Sequence, residues 1–382
     1  MEIKTKIREN YDCIVVGGGI AGISAAVSAA REGIKVMLIE KSINLGGLAT
    51  NGLISWYEPL CDSCGTQMIF GIGEELIRLT AKYSFDTIPK CWGGSEEHGQ
   101  RFTSRFSPTV FAAALDEYVT ENGAKLMFDT YATYPVVENG HCTGVICESV
   151  NGREFFGAKV VIDATGDASI CDRAGMPTVM GENYMSYVAH YISKEIMDEY
   201  ARDGKQHKVR KWLWCGSNRL GDKQEERKMI KADSAEVITE FVMEGKKNLI
   251  NNIKNFDRNE FDVMTLPSMP QFRKIRRIVG AEDFNAIDGE TFENSIGNCG
   301  DFREHGAGKH YQIPYGALYN PEFDNILACG RIISAPDDGD GWEVSRVIPV
   351  CALTGEAAGK AAAYAVKNGI VVQDVPTADV FS

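Results

Sequence analysis

What this sequence lacks narrows the field first. It has no apolar run of about 18 residues, the length a membrane-crossing helix requires. Its opening, MEIKTKIREN, lacks the apolar core of a signal peptide. It has no basic excess: 40 Lys and Arg against 53 Asp and Glu leave a net charge of −13, which argues against a dedicated nucleic-acid binder. The one dense basic run, Arg273 to Arg277, is too short to reverse that and reads as a source of interdomain salt bridges. The paired cysteines of a secreted scaffold are missing too. The 11 cysteines are odd in number, and Cys13, Cys147, Cys329 and Cys351 sit in apolar, strand-like runs, as buried reduced thiols do. A cytoplasmic protein is expected, with neither membrane nor nucleic acid as partner. No internal repeat and no low-complexity segment interrupts the 382 residues, enough for two domains around a large core.

What is present is organised around residues 11–40, YDCIVVGGGIAGISAAVSAAREGIKVMLIE. Residues 13–16 form a short apolar run. Ile23, Ala26, Val27 and Ala30 follow at helical spacing, and 34–39 is a second apolar run. Between strand and helix lies G-x-G-x-x-G, with Gly17 for a tight turn, Gly19 for close approach of a pyrophosphate and Gly22 for helix–strand packing. Ile20 and Ala21 open the helix, whose free N–H groups and positive dipole end favour anions. Glu40, 18 residues after Gly22, ends the second strand where a carboxylate can accept from both hydroxyls of an adenosine ribose. The pattern predicts a dinucleotide site.

Further on, Gly46 and Gly47 mark a loop that lets backbone approach a flat ligand. Residues 65–83 read as a helix, and Ser107-Pro108 as the start of another that stops near Gly123. Asn139-Gly140 and Asn151-Gly152 predict a three-stranded meander, and AKVVID at 158–163 a buried parallel strand. NILACG at 325–330 reads as another, and 352–367 as a small-residue helix. Residues from about 180 to 310 differ in texture, holding four of the six histidines, Trp212, Trp214 and a charged helical stretch at 224–255. The expected fold is α/β: a Rossmann-like domain of parallel sheet plus meander, residues 1–180 and 311–382, with an inserted α+β cap at 181–310.

These residues resemble the FAD-dependent oxidoreductases with a glutathione-reductase-like FAD fold, and within them a bacterial family. The resemblance rests on GGGIAG at 17–22, GGLATNG at 46–52, RFSPTVFAAALDE at 105–117, KVVIDATGDASICDRAG at 159–175, RKIRRIVGAE at 273–282, IPYGALYNPEFDNILACGRIIS at 313–334 and IPVCALTGEAAGKAAA at 348–363, in that order. It implies FAD extended across the sheet. Adenosine would sit at Glu40 and Lys41 with Tyr131 or Ala132 beside the adenine, and pyrophosphate at Gly17 to Gly22. The ring would lie near Gly46, Gly47 and Thr50, and Ala164, Thr165 and Gly166 beneath the adenosine half. Gly330, Arg331, Thr354 and Gly355 would close the flavin end. The sequence departs from the pattern at PDDGDGWEV, 336–344, which is acidic and carries Trp342.

For chemistry, Arg105, His190, Trp342 and Arg346 are the expected active-site residues. An arginine can hold a carboxylate bidentately, and a histidine can move a proton near neutral pH. The plainer readings are an internal salt bridge and a structural histidine. His305, His310, His98, His141 and His207 are weaker candidates. Trp56, Tyr57 and Trp342 could wall a cavity or simply pack in a core, and Asp337, Asp338 and Asp340 read as a solvated turn. Cys61-Asp62-Ser63-Cys64 is a C-x-x-C, but it lies beyond the loop expected to touch the flavin and lacks two further metal ligands, so no metal is expected. There is no second strand-plus-GxGxxG unit, so electrons are expected to pass to or from a diffusing donor, a quinone, oxygen or a protein. The function expected is hydride transfer between FAD and a small organic substrate. The alternatives are thiol–disulfide exchange at Cys61 and Cys64, and an FAD-binding subunit of a larger complex such as an RNA-modification assembly.

Overall fold

In the computed structural model, which describes residues 4–84, 104–204, 211–216 and 229–381, five parallel strands carry the nucleotide-binding half. Their order is Lys125–Met127, Val36–Ile39, Tyr11–Val16, Gly152–Asp163 and Ile326–Ala328. The central strands are apolar at nearly every position because both faces are covered, one by helices Ile20–Arg31 and Ile348–Asn368 and the other by the meander and residues 168–176. The meander forms on Tyr131–Glu138, His141–Ser149 and Gly152–Asp163. Asn139 and Gly140 both take positive φ, 53° and 79°, as a two-residue hairpin turn requires. The third meander strand and the buried strand expected at 158–163 are one strand: its first half pairs antiparallel with the meander and its second half parallel with the central sheet.

Helix Ile20–Arg31 and helix Ile348–Asn368 pack side by side. Small residues permit it: a Cβ on Gly355 would lie 2.1 Å from the Ala21 carbonyl oxygen, and one on Gly359 2.3 Å from that of Ala25. Glu32 then pairs with Lys367 at 2.8 Å, so the two helices run parallel in constant register. The later helix begins at Ile348, four residues before the expected start, and roughly six residues further toward the site than its neighbour. At ~1.5 Å per residue its N-terminus projects about 9 Å beyond the glycine turn. Helix Ile72–Lys82 is shorter than expected because Gly71, at φ 57°, breaks the backbone before it.

Residues 185–272 hold two small apolar clusters, around Tyr187, Leu213 and Leu249 and around Phe241 and Phe272. Phe284, Ile296 and Cys299 instead join the large core beside the long helices. The helix within the charged stretch is Ala235–Lys254. Among the described residues, no helix is long and apolar enough to cross a membrane.

Candidate active site

The strands Tyr11–Val16, Val36–Ile39, Gly152–Asp163 and Ile326–Ala328 end at one edge of the sheet, and most expected cofactor residues follow those ends. Gly17 has φ 106°, donates its N–H to the Ile39 carbonyl at 2.8 Å and leaves no room for a Cβ, which would lie 2.5 Å from the Ala164 oxygen. A Cβ on Gly22 would come closer still, 1.8 Å from the Gly17 oxygen. Gly19 is different: it caps helix Ile20–Arg31 in extended conformation, and a Cβ there would meet nothing within 4 Å. That open space at a helix N-terminus, with Ile20 and Ala21 in its first turn, fits a pyrophosphate. Gly46 bridges back to Gly19 and donates its N–H to the Gly18 oxygen at 2.8 Å, bringing Gly46 and Gly47 beside the same turn.

Glu40 is buried, with one carboxylate oxygen accepting from Gly18 N–H at 2.6 Å and the other from Ser42 N–H at 2.8 Å. Each oxygen keeps a further lone pair for a ribose hydroxyl. Lys41 is exposed beside it. Tyr131 and Ala132 begin the strand after Thr130, whose N–H meets the Glu40 carbonyl at 3.3 Å. Ala164, Thr165 and Gly166 are held by Asp163, whose carboxylate accepts from Thr165, Ile170 and Cys171 N–H groups. Arg331 reaches over this loop, Nε donating to the Gly166 oxygen at 2.6 Å and Nη1 to the Phe272 oxygen at 3.1 Å.

Three expected cofactor residues serve the framework. The Thr50 hydroxyl is spent on the Leu45 carbonyl. Thr354 and Gly355 lie in the second turn of helix Ile348–Asn368 instead of the turn before it. Thr354 accepts from Gly330 N–H at 2.9 Å, and Gly355 provides the close helix contact.

The four expected active-site residues fall into two clusters. Arg105 lies over the Trp56 ring at 4.9 Å and the Trp212 ring at 5.5 Å. Burial disfavours its charge. His190 is buried on strand Val188–Ser193, opposite Trp212, with Nε2 3.4 Å from Ser55 Oγ. Trp212 Nε1 donates to the Leu53 carbonyl, which docks this strand pair on the loop running from Gly46. In the other cluster Trp342 is fully buried, with Nε1 donating to the Arg331 carbonyl at 2.8 Å, and Arg346 pairs with Glu343. Trp342 thus packs in the core, as does Tyr57, whose hydroxyl donates to the Gly73 carbonyl. Segment 271–274 joins the clusters: Gln271 bonds Gly52 and Val188, Phe272 bonds Arg331, and Lys274 pairs with Glu343 and Asp337. Residues of the basic run thus form salt bridges, with Arg276 also meeting Asp172 at 3.3 Å.

Sequence reasoning passed over Ser55, Gln271 and Glu343, and treated Trp212 as texture. No spacing rule marks partners that meet only in three dimensions. His98 and His207 lie outside the described residues. His141 pairs with Asp324 at the surface, and His310 with Asp62 at 3.0 Å. Asp301, His305 and Asp340 could bring ligand atoms within 4.8 Å of one another, but Arg303 already donates to both carboxylates. Cys61 is buried and Cys64 exposed, in a turn organised by Asp62. Burial pushes the Cys147 and Cys351 thiols up to about 12 and Cys142 to about 11.

A sequence model of the family described as FAD dependent oxidoreductase matches residues 12–236 and 212–381. A digeranylgeranylglycerophospholipid reductase of Methanoculleus marisnigri is 30% identical over 205 residues, covering 50% of this chain and 47% of its own. Protein FixC of Escherichia coli is 30% identical over 174 residues, 44% of this chain and 39% of its own. The chain spans about half the length of the curated relatives it matches, or less. A solved geranylgeranyl bacteriochlorophyll reductase-like protein of Thermoplasma acidophilum matches at 15% identity and TM-score 0.49 over 95% of this chain and 80% of its own.

Proposed function

The chain belongs to the FAD dependent oxidoreductase family and so uses FAD, and on that premise we propose that it exchanges a hydride between bound FAD and a small organic substrate held at the Arg105–His190 cluster. The supporting observation is the offset pair of helix N-termini: one opens beside Gly19, where a Cβ would meet nothing within 4 Å, the other about 9 Å further along, spacing two anion-favouring ends as a pyrophosphate and a flavin ring would need. In this reading Gly17 to Gly22 hold the pyrophosphate, Glu40 the ribose, and Gly46, Gly47, Gly330 and Arg331 the flavin half. FAD, when bound, supplies the two-electron chemistry. Arg105 holds an anionic group on the substrate, with the Trp56 and Trp212 rings packed beside its guanidinium. His190 moves a proton through Ser55, and the two indoles exclude water.

The same proposal carries the glutathione-reductase-like arrangement of the FAD half, the cap at 181–310, a cytoplasmic location and a separate electron partner. Its test is anaerobic titration of the FAD-loaded protein with sugars, hydroxy acids, keto acids, enoates and amines, oxidants being tried after chemical reduction. Bleaching or reoxidation by an acid class is expected, and should be at least tenfold slower in Arg105→Met. An enzyme responding only to amines or neutral sugars would contradict the role given to Arg105.

A further inference from the structure

At the flavin end two cations share one carboxylate. Glu343 Oε1 takes the Lys274 ammonium at 2.8 Å, while Oε2 accepts from Arg346 Nε at 3.0 Å and from its Nη2. Glu343 belongs to the short helix Gly341–Ser345, which Arg346 terminates, and the long helix begins two residues later at Ile348. Arg346 therefore stands beside the projecting helix N-terminus, and Glu343 fixes it there by two N–H groups on one oxygen. Burial works against ionising Glu343, but Arg346 and Lys274 outweigh it and hold the carboxyl down at about 2, so the charge is present at neutral pH. Lys274 comes from segment 271–274, which also contacts the strand bearing His190.

We infer that Glu343 partly neutralises Arg346 and that Lys274, by competing for the same carboxylate, sets how much of the Arg346 charge reaches bound FAD. The inference rests on the ring placement proposed above. Its content is a pair of opposite signs. Reduced FAD carries negative charge that a nearby uncompensated cation favours. With Glu343 neutral, Arg346 is less compensated and reduction becomes easier. With Lys274 removed, a positive charge is lost and Glu343 compensates Arg346 more fully, so reduction becomes harder. A carboxylate that merely braced the fold would produce no such opposed pair.

The test is the two-electron midpoint potential of the full-length, FAD-loaded protein, measured by equilibration with reference dyes. Glu343→Gln is expected to favour reduced over oxidised FAD by about tenfold, an upward shift of about 30 mV. Lys274→Met and Arg346→Met should each shift it down. An unmoved or lowered potential in Glu343→Gln, with Arg346→Met still lowered, overturns the inference while leaving the ring placement intact. If Arg346→Met is also unmoved, the ring is not near Arg346 and both fall. Should Glu343→Gln fail to retain FAD, Lys274→Met carries the test, and a potential that rises or stays put overturns the inference.

Discussion

Gly19 and Gly22 stand in one motif, yet a methyl group added to each would meet opposite conditions. At Gly19 it enters open space from an extended backbone that any residue can adopt, and at Gly22 it is driven into the Gly17 carbonyl. Gly19→Ala should therefore melt like the parent without FAD but lose the cofactor during gel filtration. Gly22→Ala should lower apoprotein stability by about 1–3 kcal/mol, the usual cost of overpacking. Thermal melts with the flavin absorbance of the eluted protein check both; a yellow Gly19→Ala would place the pyrophosphate elsewhere. The motif was readable because its glycines answer to backbone geometry, which sequence records directly. The double hydrogen bond of Glu40 to Gly18 and Ser42 was not, nor was the contact between Ser55 and His190. Those partners are chosen by how strands and loops stack, and no local pattern reports it.

Among the elements, helix Ile72–Lys82 is capped from a distance. Its N-cap position is Gly71, which has no side chain to offer, and the Ile72 N–H is taken at 2.8 Å by Glu356 of the long helix. Glu356→Ala should cost about 1 kcal/mol, the worth of an ordinary N-cap, and Glu356→Gln, which keeps an acceptor, should cost less. Equal losses in thermal melts would show that charge, not capping, is what Glu356 contributes. The expected helix over 65–83 began too early for the same reason: apolar spacing at Ile69, Ile72, Leu76 and Leu79 is real, but the left-handed turn at Gly71 and the remote cap set the boundary. Helix starts with local signals fared better. Ser107 accepts from Val110 N–H ahead of Pro108, as its sequence indicates.

For the molecule as a whole, pairs that tie distant segments together rest on carboxylates: Lys274 with Asp337 and Glu343, Arg276 with Asp172, Arg303 with Asp340. Arg303 holds Asp340 below the usual carboxylate range. Burial opposes ionisation of Asp301, but Arg303 and the surrounding hydrogen bonds prevail. A carboxyl whose folded pKa is depressed stabilises the fold above its unfolded value and ceases to do so as pH falls through the folded one. For Glu343 that window runs from 4.5 down to about 2. The melting temperature should drop across it, and part of the drop should vanish in Glu343→Gln; the same drop in both would assign the acid lability to other groups. The parallel register of the two long helices has a further consequence, for ligand length. Sliding one helix along the other would drive the Ala21 carbonyl against side chains where Gly355 now lies, so the roughly 9 Å offset of their positive ends is fixed like the jaws of a caliper. ADP, which carries the pyrophosphate but no flavin ring, can fill only one jaw and should be held at least tenfold more weakly than FAD; equal retention of the two would mean that the second jaw closes on nothing.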